Sequence, residues 1–328
     1  MMRVTFTVLS LVLAPCVLAD YSSHPKAAQL ADELAATGEY TRAEVLDVLR
    51  KAQRNPKLIE SERKAPERTR TWPEYRSIFM DGSRVANGVR FLRKHYPSLA
   101  RASAEYGVPK HVIAAIIGVE TLYGGYTGPH PVIDSLATQG FDHPTRTPFF
   151  FSELKEYFLL CREMGFDPLA QKGSYAGAMG LSQFMPSNYR RLGLDYDGDG
   201  RVNLWSPSDA IGSVANYLKN FRGTNTGWRA GEAVAFPVKI SSPPEGVAVN
   251  QKTPTHTWAA LSAHVEELPV TLEATQAVGL LALQTGAEPE YWLALPNFYS
   301  ILSYNPRTYY AMAVFQVSQA IAAADLAD

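Results

Sequence analysis

One acidic side chain stands where a proton donor would be wanted. The run from Val108 to Gly125, VPKHVIAAIIGVETLYGG, is apolar almost throughout and carries Glu120 near its end. Val112, Ile116 and Glu120 fall four apart and share one helical face, with Ile113 and Ile117 beside them. A helix apolar on all sides is a buried one, so Glu120 is delivered to a place where water is scarce. Desolvation favours the neutral carboxyl, and the negative end of the helix dipole acts in the same sense. A carboxyl that keeps its proton near neutral pH can protonate a leaving group. Taken alone, Glu120 is more simply read as marking the exposed last turn of a core helix.

Two other groups have chemistry in them. In DYDGDGR, Asp195, Asp197 and Asp199 occupy positions one, three and five of an EF-hand loop, and Gly200 makes the turn at position six. Position seven offers only its carbonyl, so Arg201 is acceptable there. Position twelve is Ser206 rather than a bidentate Glu, and Asp209 would close a longer loop. Carboxylates this close repel one another without a cation. A structural Ca²⁺ is therefore expected, pinning the loop rather than doing chemistry. The remaining group is the small-residue run GSYAGAMG over 173–180, followed by LSQFMP. Its glycines let backbone approach a ligand closely. Met179, Phe184 and Met185 are odd choices for a freely solvated loop.

The elements that must position these groups read mainly as helices. Pro109 suits a first turn, and Gly124 with Gly125 supplies a stop. Residues 27–36 and 41–53 are amphipathic, the second opened by a capping box of Thr41 and Glu44. The charged stretch 54–76, with Pro56, Pro66 and Pro73, suggests an arm crossing the surface. Helix returns over 81–95. Residues 20–100 thus form a helical domain, expected to be joined by the C-terminal helix within 306–328. A second unit, 101–228, holds the three groups above. In it a loop with His130, Pro131, His143, Pro144, Arg146 and Pro148 follows the Glu120 helix, and helices follow over 149–164 and 208–220. Tyr217 on the latter shares part of the inward face. Beyond Trp228, segments 233–240, 247–249, 256–258 and 268–272 suggest a small sheet, giving a β-rich unit over 229–305. A final helix, 307–323, carries Tyr309 and Tyr310. Tyrosine suits a sugar cleft, though it is more often core.

The chain has 328 residues, 46% hydrophobic and 19% charged, enough for two or three compact units. A formal net charge of −1 gives no reason to expect nucleic acid or an anionic membrane as partner. Residues 1–19 read as a signal peptide, with Arg3, an apolar core over 8–17 and cleavage after Ala19. The export compartment expected is a bacterial periplasm. Leu13 to Cys16 has the outline of a lipid-attachment box, but Pro15 directly before Cys16 argues against its use. Cleavage would leave Cys161 as a lone thiol, excluding an internal disulfide.

Taken together, IIGVET, GSYAGAMGLSQFMPS, DYDGDGRVNLWSPSDAIGSVANYLKN and YNPRTYYAMAV resemble the B-type lytic murein transglycosylases, from about residue 25 to the C-terminus. The resemblance implies a mainly α (α+β) fold: a lysozyme-like core flanked by a helical domain and a small β domain. It implies cleavage of the β-1,4 bond between N-acetylmuramic acid and N-acetylglucosamine without water, leaving a 1,6-anhydro sugar. Glu120 matches the family's sole acid/base. Ser174 and Gln183 match residues that contact the sugar, and Tyr217, Tyr304, Asn305 and Tyr310 match residues around the glutamate or lining the cleft. Asp195, Asp197, Asp199, Arg201 (through its carbonyl) and Asp209 match the calcium loop. A pair of arginines often follows the proline equivalent to Pro144; here Thr145 stands first and only Arg146 remains. The partner implied is peptidoglycan glycan strands, met by a monomer without an organic cofactor.

Hydrolysis of a glycoside usually takes two carboxylates. The candidates for a second are Asp134 and Asp142, and neither stands in a recognisable pairing with Glu120. The transglycosylase scheme needs one, because the sugar's own C6 hydroxyl replaces water. A hydrolytic muramidase and a catalytically dead wall-binding protein are the alternatives.

Overall fold

Residues 20–64, 66–221, 227–265 and 268–327 are described by the computed structural model. The export segment expected at 1–19, Cys16 included, lies outside the described residues. Caps and prolines set the first helices. α1 (Pro25–Ala35) starts on Pro25, and α2 (Arg42–Lys51) opens with the Thr41–Glu44 capping box. The stretch 54–76 is not a surface arm. It folds as α3 (Pro56–Arg63), α4 (Pro66–Thr69) and α5 (Trp72–Ser77), with Pro56 and Pro73 in first turns, where a missing N–H costs little. Leu58, Trp72 and Tyr75 are buried. α6 (Gly82–Lys94) and α7 (Tyr96–Tyr106) lead into α8 (Lys110–Thr121), the Glu120 helix.

The loop expected after Glu120 contains β1 (His130–Pro131) and α9 (Val132–Asp142). Val132, Ile133, Leu136, Ala137 and Phe141 recur at helical spacing and are all buried. After α10 (Thr147–Met164), β2 (Lys172–Gly173) pairs antiparallel with β1. α11 (Pro186–Leu192) and α12 (Pro207–Asn220) follow. The C-terminal part holds β3 (Ala235–Val238), β4 (His256–Thr257), α13 (Trp258–Leu261), β5 (Ala277–Gln284), β6 (Pro289–Ala294), α14 (Pro296–Tyr304) and α15 (Thr308–Ala327). Its antiparallel sheet runs β3-β6-β5-β4.

Sequence reasoning missed the two central strands, and 268–272 is no strand. The reason lies in burial. In β5, Leu281 and Leu283 enter one core while Val278 and Leu280 enter another; in β6, Trp292 and Ala294 oppose Tyr291 and Leu293 in the same way. A strand covered on both faces loses the polar alternation that announces it.

α8 lies at the centre of the largest core. Val112 to Gly118 are buried without a break, and α6, α7, α12 and α15 pack around them. A second core joins α1 and α2 to α9 and α10 and includes Met179, Phe184 and Tyr217. Residues 20–100 therefore contribute to both cores. Tyr304 touches each of them, so the seam between the cores passes through it. Cys161 is buried in α10, and that burial pushes its thiol up to about 12, which makes it inert.

Candidate active site

Glu120 sits half-buried in the last turn of α8. The helix does not stop on the two glycines. Leu122 (φ 54°) and Tyr123 (φ 60°) take the left-handed conformation first, at a cost of roughly 1 kcal/mol each. Their surroundings hold them there. Leu122 N–H donates to Gly118 O at 3.1 Å, and the Tyr123 hydroxyl donates to Arg84 O at 3.1 Å. The Tyr123 ring fills the space that a side chain at position 118 would need: a Cβ there would lie 2.4 Å from it. Thr121 Oγ1 accepts from Gly124 N–H and lies 3.2 Å from Leu181 O, tying the turn to the small-residue loop. Arg84, a buried residue that sequence reasoning passed over, donates from its guanidinium to Gly118 O at 2.6 Å. That cation satisfies a carbonyl at the negative end of α8.

Facing Glu120 is a group of tyrosines. Tyr310, buried in α15, donates its hydroxyl to Glu120 Oε1 at 2.5 Å. Burial, then the charge of Glu120, holds its phenol well above the usual range, so it remains a donor. Tyr304 is half-buried, and its hydroxyl donates to Ser182 O at 2.5 Å. Burial and Glu120 push this phenol up as well. Tyr217 donates to Ser303 O at 2.7 Å and lies 4.6 Å, centroid to centroid, from Tyr304. Phe184 closes the aromatic group against both.

The small-residue loop is built rather than loose. Ser174 Oγ accepts from the N–H groups of Ala176 and Ala178, and Met179 pairs with Phe184 across the turn. Gln183 is left-handed (φ 49°), and its amide donates to Gly180 O at 2.9 Å and Thr127 O at 3.1 Å. Next to Thr127, Gly128 (φ 100°) lies so close to this loop that a Cβ would stand 2.1 Å from Gly173 O. The segment after Glu120 and the segment bearing Ser174 and Gln183 are thus clamped together. Asn305 is half-buried beside Tyr304, its carbonyl accepting from Arg307 N–H. Ser182 was not singled out from sequence. Its buried hydroxyl has no hydrogen-bond partner among the described residues, and nothing in the local pattern signals it.

Arg146 is engaged elsewhere. It donates to Glu62 at 2.7 Å and lies 4.8 Å from the centroids of Phe149 and Phe150. His143 Nδ1 accepts from Thr145 and Arg146 N–H, so its Nε2–H donates to Glu62 at 3.0 Å. Burial pushes the Glu62 carboxyl up, but Arg146 and then His143 outweigh it, and the net position is low. Both candidate second carboxylates are also taken up. Asp134 accepts from Gln53 N–H at 2.8 Å; Asp142 accepts from Tyr21 at 2.7 Å and Arg54 at 2.8 Å.

In the acidic loop, Asp195, Asp197 and Asp209 bring one carboxylate oxygen each within 4.8 Å of one another. Asp199 stands outside that group, accepting from Arg201 N–H at 2.8 Å. Asp195 accepts from Gly198, Asp199 and Gly200 N–H. Buried Asp209 accepts from Tyr196, Asp197 and Asn203 N–H, and burial nevertheless pushes its carboxyl above the ordinary value. An oxygen-only set with one buried member suits a hard cation such as Ca²⁺. The same loop reaches the candidate active site, since Leu204 O accepts from Leu181 N–H at 2.8 Å.

Comparison with known proteins shows the family and the fold. The family description Transglycosylase SLT domain matches residues 22–319. Membrane-bound lytic murein transglycosylase B of Escherichia coli K12 is 38% identical over 314 residues, covering 93% of this chain and 85% of the relative. Lytic transglycosylase SltB1 of Pseudomonas aeruginosa superposes with a TM-score of 0.85 at 42% identity, over 93% of this chain and 100% of that one. The Escherichia coli lytic transglycosylase Slt35 in complex with calcium gives 0.82 at 37% identity, over 94% and 96%. SltB3 of Pseudomonas aeruginosa in complex with NAG-anhNAM-pentapeptide gives 0.75 at 30%, over 90% and 78%. The mainly α fold is accordingly the lysozyme-like one of these enzymes. The chain belongs to the SLT-domain family of lytic murein transglycosylases.

Proposed function

We propose that this protein cleaves the β-1,4 bond between N-acetylmuramic acid and N-acetylglucosamine in peptidoglycan and leaves a 1,6-anhydro end, with Glu120 as single acid and then base. The observation that carries this reading is the Tyr310–Glu120 hydrogen bond at the half-buried C-terminal end of α8, inside a family of lytic transglycosylases. Protonated Glu120 gives its proton to the glycosidic oxygen as the C1–O bond breaks, and the electron pair leaves with that oxygen. The carboxylate so formed takes the proton of the C6 hydroxyl while that oxygen bonds to C1. Glu120 ends as it began. Tyr310, as a fixed donor, orients the carboxylate and eases its charged interval.

The other roles belong to the same proposal. In this reading Ser174, Gln183, Tyr304 and Asn305 line the glycan path, with Tyr217 behind Tyr304 as its support, and Arg146 reaches substrate only if it leaves Glu62. Asp195, Asp197 and Asp209 would hold Ca²⁺, with Asp199 and the Arg201 carbonyl proposed to complete the set. When bound it neutralises their repulsion and fixes the loop that buttresses Leu181. Ser182 and Gln183 follow directly in the chain. Export to the periplasm and action as a monomer complete the reading. A hydrolytic muramidase is disfavoured because Asp134 and Asp142 are committed to Gln53, Tyr21 and Arg54.

The test is mass spectrometry of fragments released from purified peptidoglycan. Products lighter by one water than the hydrolytic ones are expected, and none from Glu120→Gln. Hydrolytic products, or substantial activity in the variant, would overturn the proposal.

A further inference from the structure

α9 carries polar side chains inside a core. Ser135, Thr138 and Gln139 are fully buried, among Val132, Leu136 and Ala137. Ser135 and Gln139 fall four apart, on one face of the helix, and both bond the loop that bears Ser174. The Ser135 hydroxyl donates to Ser174 O at 3.1 Å, and the Gln139 amide donates to Tyr175 O at 3.4 Å. Between them Leu136 presses on the same loop, where a Cβ at Gly177 would lie 2.5 Å from it.

Stability does not account for the amide. Gln139 Oε1 is buried without a hydrogen-bond partner among the described residues, and the bond from its Nε2 is long. A buried amide satisfied at one end serves the fold less well than an apolar side chain of the same shape.

What the two bonds do is fix Ser174. Its N–H donates to Ala178 O at 2.9 Å, and its carbonyl accepts from Gly177 N–H at 3.0 Å as well as from Ser135. Its Oγ accepts from Ala176 N–H at 3.2 Å and Ala178 N–H at 3.0 Å. A serine hydroxyl has two lone pairs and one proton, so only the O–H is left to give. Ser174 is half-buried, which leaves that proton open to a ligand. It can meet an oxygen acceptor and cannot accept from an N–H.

Direct contacts join this loop to Glu120. Beyond Ala178, Met179 pairs with Phe184, and inside that turn Leu181 O lies 3.2 Å from Thr121 Oγ1, the residue after Glu120. On its other side α9 is anchored, with Asp134 accepting from Gln53 N–H at 2.8 Å and Thr138 from Asn55 N–H at 3.0 Å. The Ser174 loop therefore rests on a fixed backstop.

We propose that Ser135 and Gln139 are positioning residues, holding the Ser174–Tyr175 backbone so that Ser174 presents its O–H to an oxygen of the glycan. The inference rests on the proposed function. It adds two buried residues of α9 that act on the glycan only through Ser174.

The test is a double-mutant cycle read in binding, on the full chain carrying Glu120→Gln so that the ligand is not consumed. The probe is a soluble oligosaccharide of alternating N-acetylglucosamine and N-acetylmuramic acid, and calorimetry gives its Kd. Ser135→Ala/Gln139→Met should raise Kd about fivefold, as should Ser174→Ala alone. The variant with all three changes should stay within about twofold of Ser174→Ala, because the α9 pair acts through that serine. Gln139→Met alone should raise Kd about twofold while the melting temperature holds or rises, an opposition that a packing role would not produce. This single variant decides the matter should the pair fail to fold. An α9 pair that leaves Kd in place overturns the positioning role, and so does a triple variant about fivefold weaker than Ser174→Ala. A Gln139→Met protein that melts lower with Kd unmoved overturns it too. If the protein with Glu120 intact releases no anhydro product from peptidoglycan, the proposed function fails instead.

Discussion

Tyr310→Phe removes one hydroxyl from the candidate active site and almost nothing else. Tyr310 is buried, its hydroxyl donates to Glu120 Oε1 at 2.5 Å, and the phenylalanine ring fits the same envelope. A hydrogen bond to a charged group is worth about 1.5–3 kcal/mol. Glu120 is half-buried, so water can replace part of the loss and the lower figure applies. The sign follows from which form the hydroxyl favours. A donor stabilises the carboxylate, so its removal favours the protonated acid. The acid form then survives to higher pH, and the alkaline limb of kcat/KM should move up by roughly one unit, since 1.36 kcal/mol is one pH unit. At the optimum, kcat should fall about tenfold as the carboxylate loses its orientation. The assay is release of anhydro-muropeptides across pH, with the melting temperature as a check on folding. An alkaline limb that stays in place, or moves down, refutes the reasoning.

Three other outcomes follow from the structure. Ca²⁺ should raise the melting temperature and a chelator reverse it, since stabilisation by binding reaches about 2.7 kcal/mol at a hundred times Kd; Asp209→Asn should abolish the response, and indifference of the unaltered protein would remove the cation. Glu62 is held below its ordinary value, so the stability it contributes is present above the usual carboxylate range and is lost as pH falls through its lowered folded value. Glu62→Gln should therefore flatten the melting temperature over about pH 5 to 3, and a parallel slope would contradict this. Gly128→Ala needs a left-handed alanine and forces a Cβ into Gly173 O, so it should cost about 2–4 kcal/mol in chemical denaturation and weaken turnover; a neutral variant would show that the two loops are not clamped.

The sequence was informative where one physical signal ruled. A helix apolar on every side had to be buried, and α8 is; the Thr41 capping box acts through neighbours in the chain and formed where expected, whereas of the alternating aspartates Asp195 and Asp197 come together and Asp199 stands apart. It was opaque where a partner far along the chain decides. β5 and β6 hide their alternation because each is covered on both faces. The stop after Glu120 is made by Leu122 and Tyr123, whose strained backbone persists through Arg84 and Gly118. The capture of Arg146 by Glu62 joins residues 84 positions apart, which no local pattern records.

The central claim is that the attacking oxygen is the sugar's own, with Glu120 moving the proton. Digestion of peptidoglycan in water enriched in heavy oxygen, followed by mass spectrometry of the new sugar ends, tests it most directly. The account predicts ends one water lighter than a hydrolytic product and free of label. Labelled ends with the full mass of a reducing sugar would contradict it.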